Sequence, residues 1–437
     1  MKLLKVTPFN SLAYSLILLG VIGIIEIGYK TSGGILARLG YLLLPLSFII
    51  FVHCSWRYIK FKKLWQKFTR SYRRRSKFYL LLITLLALYG FLRGNPRPQV
   101  FTEFFTMFSC GIFMILGADD EVFEFVVRLA TVLFWMGVIL TFSTLNIPHW
   151  HAELSSGESL AGADLRYTNT VAYLFRSYVA LGLPLFLYSL QAGKSGWRYF
   201  QFLSVVGYIA IFSVIFKFRS SVFLCFMVLF IHLFFYAKRG KGVSAAFVAV
   251  KKMKWILFIL LFVSAYYYWS NTQSGSVMVE RFSSYNFYGN NLLSSMFGYR
   301  WPESERMFEK LGVEILWGRG MGGGFDLGGM FGIQRNDSVW QSVHIGWFVF
   351  LLKGGVPLFV LVLSFWFSII AKKSKLWLVH SNNVVSRNWC LIVFITWWLN
   401  PIAINFSFAF MLGVTFMMLG RGGLLTRPVS YVGRTVT

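Results

Sequence analysis

Apolar residues along this chain fall in blocks of near-membrane length, separated by short polar stretches. A transmembrane helix needs about 20 such residues. On that measure the pattern predicts spans at 12–27, 39–56, 78–92, 101–118, 125–142, 171–190, 200–216, 222–237, 255–270, 344–370, 389–399 and 405–420. The predicted fold class is therefore all-α: a polytopic integral membrane protein of about 12 transmembrane helices. One stretch, 271–343, breaks the rhythm. It holds Trp301, Phe308, Leu311, Trp317, Phe325 and Trp340, too many apolar residues for a disordered linker, and a loop of that length in a compact chain is usually functional. Three regions are expected: an N-terminal transmembrane bundle of about nine helices over 1–270, one large loop over 271–343, and C-terminal transmembrane helices with a tail over 344–437.

Composition removes the soluble alternative. Of 437 residues, 57% are hydrophobic and 14% charged, and the mean hydropathy is +0.61, against ~25% charged residues in a soluble domain. The net charge of +27 would suit a nucleic-acid binder, but its placement does not. With the N-terminus inside, the inner segments carry 27 of the 43 Lys and Arg residues and the outer ones 13, while Arg128, Arg176 and Lys353 fall within spans. This is the positive-inside pattern, so both termini are expected in the cytoplasm and 271–343 outside. The densest inner stretch, Arg57 to Lys77 with Arg73-Arg74-Arg75, is read as a topology anchor on anionic lipid. The start, Met1-Lys2-Leu3-Leu4-Lys5, lacks a small-residue cleavage site and is read as leading into a retained first helix. Cys54, Cys110, Cys225 and Cys390 all lie in apolar segments and read as core residues, with no disulfide or zinc spacing.

The candidate chemistry lies on the outer side. Arg219 occupies a very short turn, Phe216-Lys217-Phe218-Arg219-Ser220-Ser221. Arg300 opens Arg300-Trp301-Pro302-Glu303 in the large loop, ahead of a helix-like run to Leu316. Trp317-Gly318-Arg319-Gly320-Met321-Gly322-Gly323-Gly324-Phe325 follows, glycine-rich enough to approach a ligand and offer it several amides. His344 stands where the loop re-enters the membrane, before an apolar run broken by Gly354, Gly355 and Pro357. Guanidinium forks match phosphate oxygens, and a neutral imidazole can take a proton from a sugar hydroxyl, so the set could receive a diphosphate-linked sugar. Arg176, ~9 Å below the outer surface at 1.5 Å per residue, is a further headgroup contact, and Glu103 is its partner or an acceptor-site residue. Asp119-Asp120-Glu121 falls on the inner side, away from such a donor. His149 and His151 lack a third ligand for metal.

The order of these features (an Arg in a short outer turn, a span pair, Arg-Trp, a helix-like stretch, the glycine run, His344 and Leu352-Lys353-Gly354-Gly355-Val356-Pro357-Leu358) resembles the O-antigen ligase and O-antigen polymerase superfamily of bacterial envelope glycan transferases. The resemblance covers about 217–370, and elsewhere rests on span number and orientation. It implies inverting transfer from an undecaprenyl-diphosphate-linked glycan donor to a saccharide acceptor, either lipid A-core or growing glycan, at the periplasmic face of the inner membrane. It calls for no cofactor, metal or nucleotide, and the charge placement already argues against nucleic acid as a partner. Carried over by position, Arg219 and Arg300 bind the diphosphate, with Arg319 and Arg176 as further substrate contacts, and His344 acts on the acceptor. The chain departs from the family pattern at Ile345, where a polar residue is common, and at Lys353, where an acid is common. Ligase and polymerase both remain open, and the single dominant outer loop leans towards ligase. A lipid-linked glycan carrier is the reading from another class, and it would call for repeated spans and charges at midplane depth.

Overall fold

The computed structural model describes residues 59–126, 300–326, 339–340, 343–372, 381–399, 404 and 406–424. These form helices α1 (Ile59–Gln66), α2 (Arg70–Leu92), α3 (Arg97–Leu116), α4 (Arg300–Leu311), α5 (Phe348–Ile370), α6 (Ser381–Leu399) and α7 (Phe406–Gly422). A 3-10 turn, Gly312–Leu316, follows α4, and a two-residue hairpin pairs β1 (Phe325–Asp326) with β2 (Val339–Trp340). The described residues are mostly helical, and α2, α3 and α5 are each long and apolar enough to cross a membrane. The expected Arg219, Arg176, His149 and His151 positions lie outside the described residues.

Helix α2 begins well before the expected span at 78–92. The stretch read as a lipid anchor, 57–77, is helical over α1 and again from Arg70, where the Thr69 hydroxyl caps α2 by accepting from the Tyr72 amide at 3.3 Å. Arg and Lys are good helix formers and their long stems cover apolar surface, so a basic belt extends a helix instead of ending it. Arg75 illustrates this by donating to the Ser364 carbonyl at 2.8 Å. One face of α2 buries Tyr72, Ser76, Tyr79, Ile83, Leu86 and Gly90. The opposite face leaves Phe78, Leu81, Leu85, Leu88 and Leu92 exposed at the same three–four spacing, which suits lipid.

Helices α2 and α3 form an antiparallel hairpin, and α7 lies along α3. The approach of α3 and α7 is close because Gly117 and Gly420 carry no side chain. A Cβ on Gly420 would stand 2.0 Å from the Met114 carbonyl oxygen, and one on Gly117 2.2 Å from that of Met417. Small residues in this role are the usual means of tight helix contact in membranes. Helices α5 and α6 join through a cluster of Trp347, Trp366 and Trp397, all essentially fully buried, with ring centroids 4.8–5.1 Å apart. Residues from 59–126 and from 343–424 thus share one core.

The two ends of the bundle differ. At the Arg70 end Arg421 donates to Asp120 at 2.5 Å, the Gly117 carbonyl at 2.9 Å and Asn383 at 3.2 Å, and covers the Phe123 ring. Lys372 donates to the Gly422 and Leu424 carbonyls, and Asp119 caps the helical stretch 120–126. At the Leu92 end the chain from α4 to α5 folds back onto the helices. Replacing Gly420 with alanine should force α3 and α7 apart, costing about 1–3 kcal/mol as overpacking does. The thermal midpoint of the purified protein should fall accordingly.

Candidate functional site

The site grows from a break in α5. Pro357 has no amide hydrogen, and its ring excludes the carbonyl of the residue four before it, Lys353. Gly355 takes φ +61° and ψ −160°, outside any helix. The break turns the carbonyls of Leu352 and Lys353 away from their own helix, and the glycine run fills the gap. The Arg319 amide donates to the Leu352 carbonyl at 2.8 Å and the Gly320 amide to that of Lys353 at 3.0 Å. Gly318, Gly320 and Gly322 alternate in the left-handed region, with φ of +75°, +75° and +73°. The chain can therefore lie flat against both α5 and α2. The Met321 amide reaches the Leu86 carbonyl at 3.1 Å, and the Gly322 amide reaches Glu103 at 2.7 Å. Asn95 fastens the turn by donating to the Arg319 and Met321 carbonyls at 2.9 and 2.8 Å. The amides expected to face a ligand are thus turned inward, from Arg319 to Gly323. The glycines serve close backbone packing.

Beneath the turn, Lys353 and Glu103 form a buried ion pair, and the Lys353 ammonium also donates to the Gly323 carbonyl at 2.7 Å. Glu103 therefore pairs with Lys353, a partner not expected from the sequence. An intramembrane lysine calls for an acid at similar depth, and that rule would have found the match.

The glycine turn carries α4 and the hairpin with it. Helix α4 lies across the start of α5, with Phe308 against Phe348 at a centroid distance of 5.0 Å. The hairpin, Phe325 opposite Trp340, returns the chain towards His344. There the Nδ1 of His344 meets the Oε2 of Glu303, whose side chain is fully buried, while a quarter of the imidazole stays exposed. A carboxylate on Nδ1–H fixes the ring orientation and leaves Nε2 as the acceptor nitrogen. The backbone amide of His344 also points at Oε1, at 3.4 Å. Glu303 was missed because an acid after proline in a first helical turn is an ordinary helix start; its contact with His344 spans 41 positions.

Arg300 opens α4 one turn before Glu303 and on the same side of the helix. Arg319 stands elsewhere. Its Nε bonds Glu314 at 2.8 Å, and its two terminal nitrogens bond the carbonyls of Gly324 and Lys310 at 2.7 and 2.6 Å. Lys310 is two turns along α4 from Glu303, ~10 Å at 1.5 Å per residue. Arg319 is thus a strut between α4, the 3-10 turn and the glycine run. Arg93, at the end of α2, bonds Glu314 at 2.7 Å. That bond, opposed by burial and reinforced by Arg319, holds the Glu314 carboxyl below the usual carboxylate range.

No known family model matches this chain, and no curated protein matches it. What fold and site define is a class: a mostly helical membrane protein in which a loop segment, seated on a broken helix, presents a carboxylate-held histidine, with Arg300 one helical turn from that carboxylate.

The ion pair makes a sharp test. Glu103→Gln or Lys353→Met alone should cost about 3–5 kcal/mol, because each leaves a buried charge unpaired. The double variant should recover most of that loss in thermal midpoint and yield. Additive losses would rule out the pairing.

Proposed function

We propose that the protein is an inverting glycan transferase of the bacterial inner membrane. It moves a glycan from undecaprenyl diphosphate to an acceptor hydroxyl at the periplasmic face. The acceptor class is lipid A-core, as in an O-antigen ligase, and joining of repeat units by a polymerase is the alternative. About 12 spans with 271–343 in the periplasm belong to this reading, which sets the Leu92 end of the bundle outward. The observation that carries it is the Glu303–His344 pair, half-sheltered at that end with Arg300 one turn away.

In this reaction the acceptor oxygen attacks the anomeric carbon, and the bond from that carbon to the diphosphate oxygen breaks. The hydroxyl proton passes to Nε2 of His344, and buried Glu303 stabilises the resulting imidazolium. Negative charge grows on the departing diphosphate. Arg300, with Arg219 and Arg176 as further proposed contacts, offsets it in a setting where fixed cations act strongly. Arg319 contributes by bracing the loop.

The direct experiment is transfer by purified protein from lipid-linked donor to acceptor. His344→Ala should lower turnover by ~10²–10⁴ while donor binding and expression persist. Glu303→Gln should lower kcat and shift the pH–rate profile. Arg300→Lys should lose most activity, since an ammonium cannot reproduce a bidentate fork. An active His344→Asn variant would remove the base and leave His344 as a turn cap. In cells, loss of all O-chain marks a ligase, and a single remaining repeat marks a polymerase.

A further inference from the structure

The 3-10 turn presents an unusual surface. Val313, Leu316 and Trp317 are 70%, 53% and 45% exposed, three large apolar side chains within five residues. Charged residues bracket them: Lys310 before, Glu314 among them and Arg319 after. The patch also has neighbours of its own kind. Arg93, the residue directly after the exposed stripe that ends at Leu88 and Leu92 on α2, is bonded to Glu314. On the other side, a Cβ on Gly355 would stand 2.5 Å from the Trp317 nitrogen and 2.6 Å from the Leu316 carbonyl. Gly355 directly precedes Val356 and Val360, the exposed stripe of α5. The turn therefore joins the apolar outer faces of two membrane-length helices.

Its depth follows from the same contacts. Gly355 lies seven residues into α5, ~10 Å along the axis at 1.5 Å per residue. The glycine run that leaves the turn packs at the level of Leu86 and Gly90, within the last two turns of α2. A segment at that level and continuous with lipid-facing stripes meets acyl chains and headgroups. Tryptophan suits that boundary because its ring is apolar and its N–H polar. The exposed Lys310 beside the turn suits lipid phosphate.

We infer that residues 312–317 form a lip inserted into the membrane, in which Val313, Leu316 and Trp317 contact bilayer lipid. The turn is thus part of the membrane-embedded surface, not of a soluble loop. By fastening one end of α4 at the bilayer, it would hold the Glu303–His344 pair at the height of a lipid headgroup. The inference stands on packing and exposure alone, so it survives if the glycan reading fails.

The test uses the full-length protein, its four native cysteines replaced, in vesicles of phosphatidylethanolamine and phosphatidylglycerol. Nitroxide labels go on V313C, L316C and W317C, with E309C as reference, since Glu309 is well exposed on the charged face of α4. Power saturation then compares collisions with oxygen, which concentrates in lipid, and with a water-soluble nickel chelate. The three lip positions should favour oxygen severalfold over the reference, and E309C should favour nickel. Nickel preference at the lip equal to that at E309C would overturn the inference, as would shielding from both reagents, which marks protein cover. If a labelled lip variant fails to fold, brominated-lipid quenching of the protein with its native tryptophans, compared with a Trp317→Phe variant, reads the same contact. A quenched component unchanged by the substitution would then count against the inference.

Discussion

Two backbone carbonyls, those of Leu352 and Lys353, decide the arrangement of everything around them. Proline and glycine at 357 and 355 take them out of helical hydrogen bonding. In a membrane-spanning helix an unsatisfied carbonyl costs several kcal/mol, so irregular backbone persists only where protein partners complete it. The amides of Arg319 and Gly320 complete it here. Once those two bonds are made, the glycine run must lie along α5 and α2, and α4 and the hairpin must leave it in fixed directions. Glu303 and His344 meet as a consequence.

Two buried carboxylates in this region, Glu103 and Glu303, hold basic side chains, and their surroundings separate their roles. Glu103 and Lys353 are both sealed in, and the pair also takes an amide and a carbonyl of the glycine run. It locks the turn against the helices and has no surface to offer a reactant. Glu303 is equally buried, but its partner keeps a quarter of its side chain exposed. Burial of the acid with partial exposure of the imidazole suits the role of base proposed for His344. Arg319 in the glycine-rich segment and Glu314 in the 3-10 turn before it instead belong to the bracing.

Much of the helical framework was legible in the apolar blocks. The expected spans at 101–118, 344–370 and 405–420 correspond within a few residues to α3, α5 and α7. The expected 78–92 and 389–399 fall short of α2 and α6, which start at Arg70 and Ser381, because charged and polar residues extend a helix past the apolar limit used to cut it. The site was legible in types more than in pairings. Arg300 shares α4 with Glu303, which holds His344, whereas the partners Glu303 and Lys353 went unassigned, since contacts spanning 41 and 250 positions leave no periodic trace. The glycine run was read as a ligand cradle because a loop that embraces a ligand and one that embraces a broken helix need the same residue type. Arg219 and Arg176 fall outside the described residues, so their part rests on the proposed chemistry.

The dependence of the loop on the broken helix can be measured by hydrogen exchange across 317–324 in wild type and in a Pro357→Leu variant. In wild type the amides of Arg319, Gly320 and Met321 should exchange slowly, being bonded to α5 and α2. With α5 made continuous, the Leu352 and Lys353 carbonyls return to their own helix, and exchange across the segment should rise towards that of an open loop. Protection that stays unchanged in the variant would contradict the claim that the break in α5 seats the site.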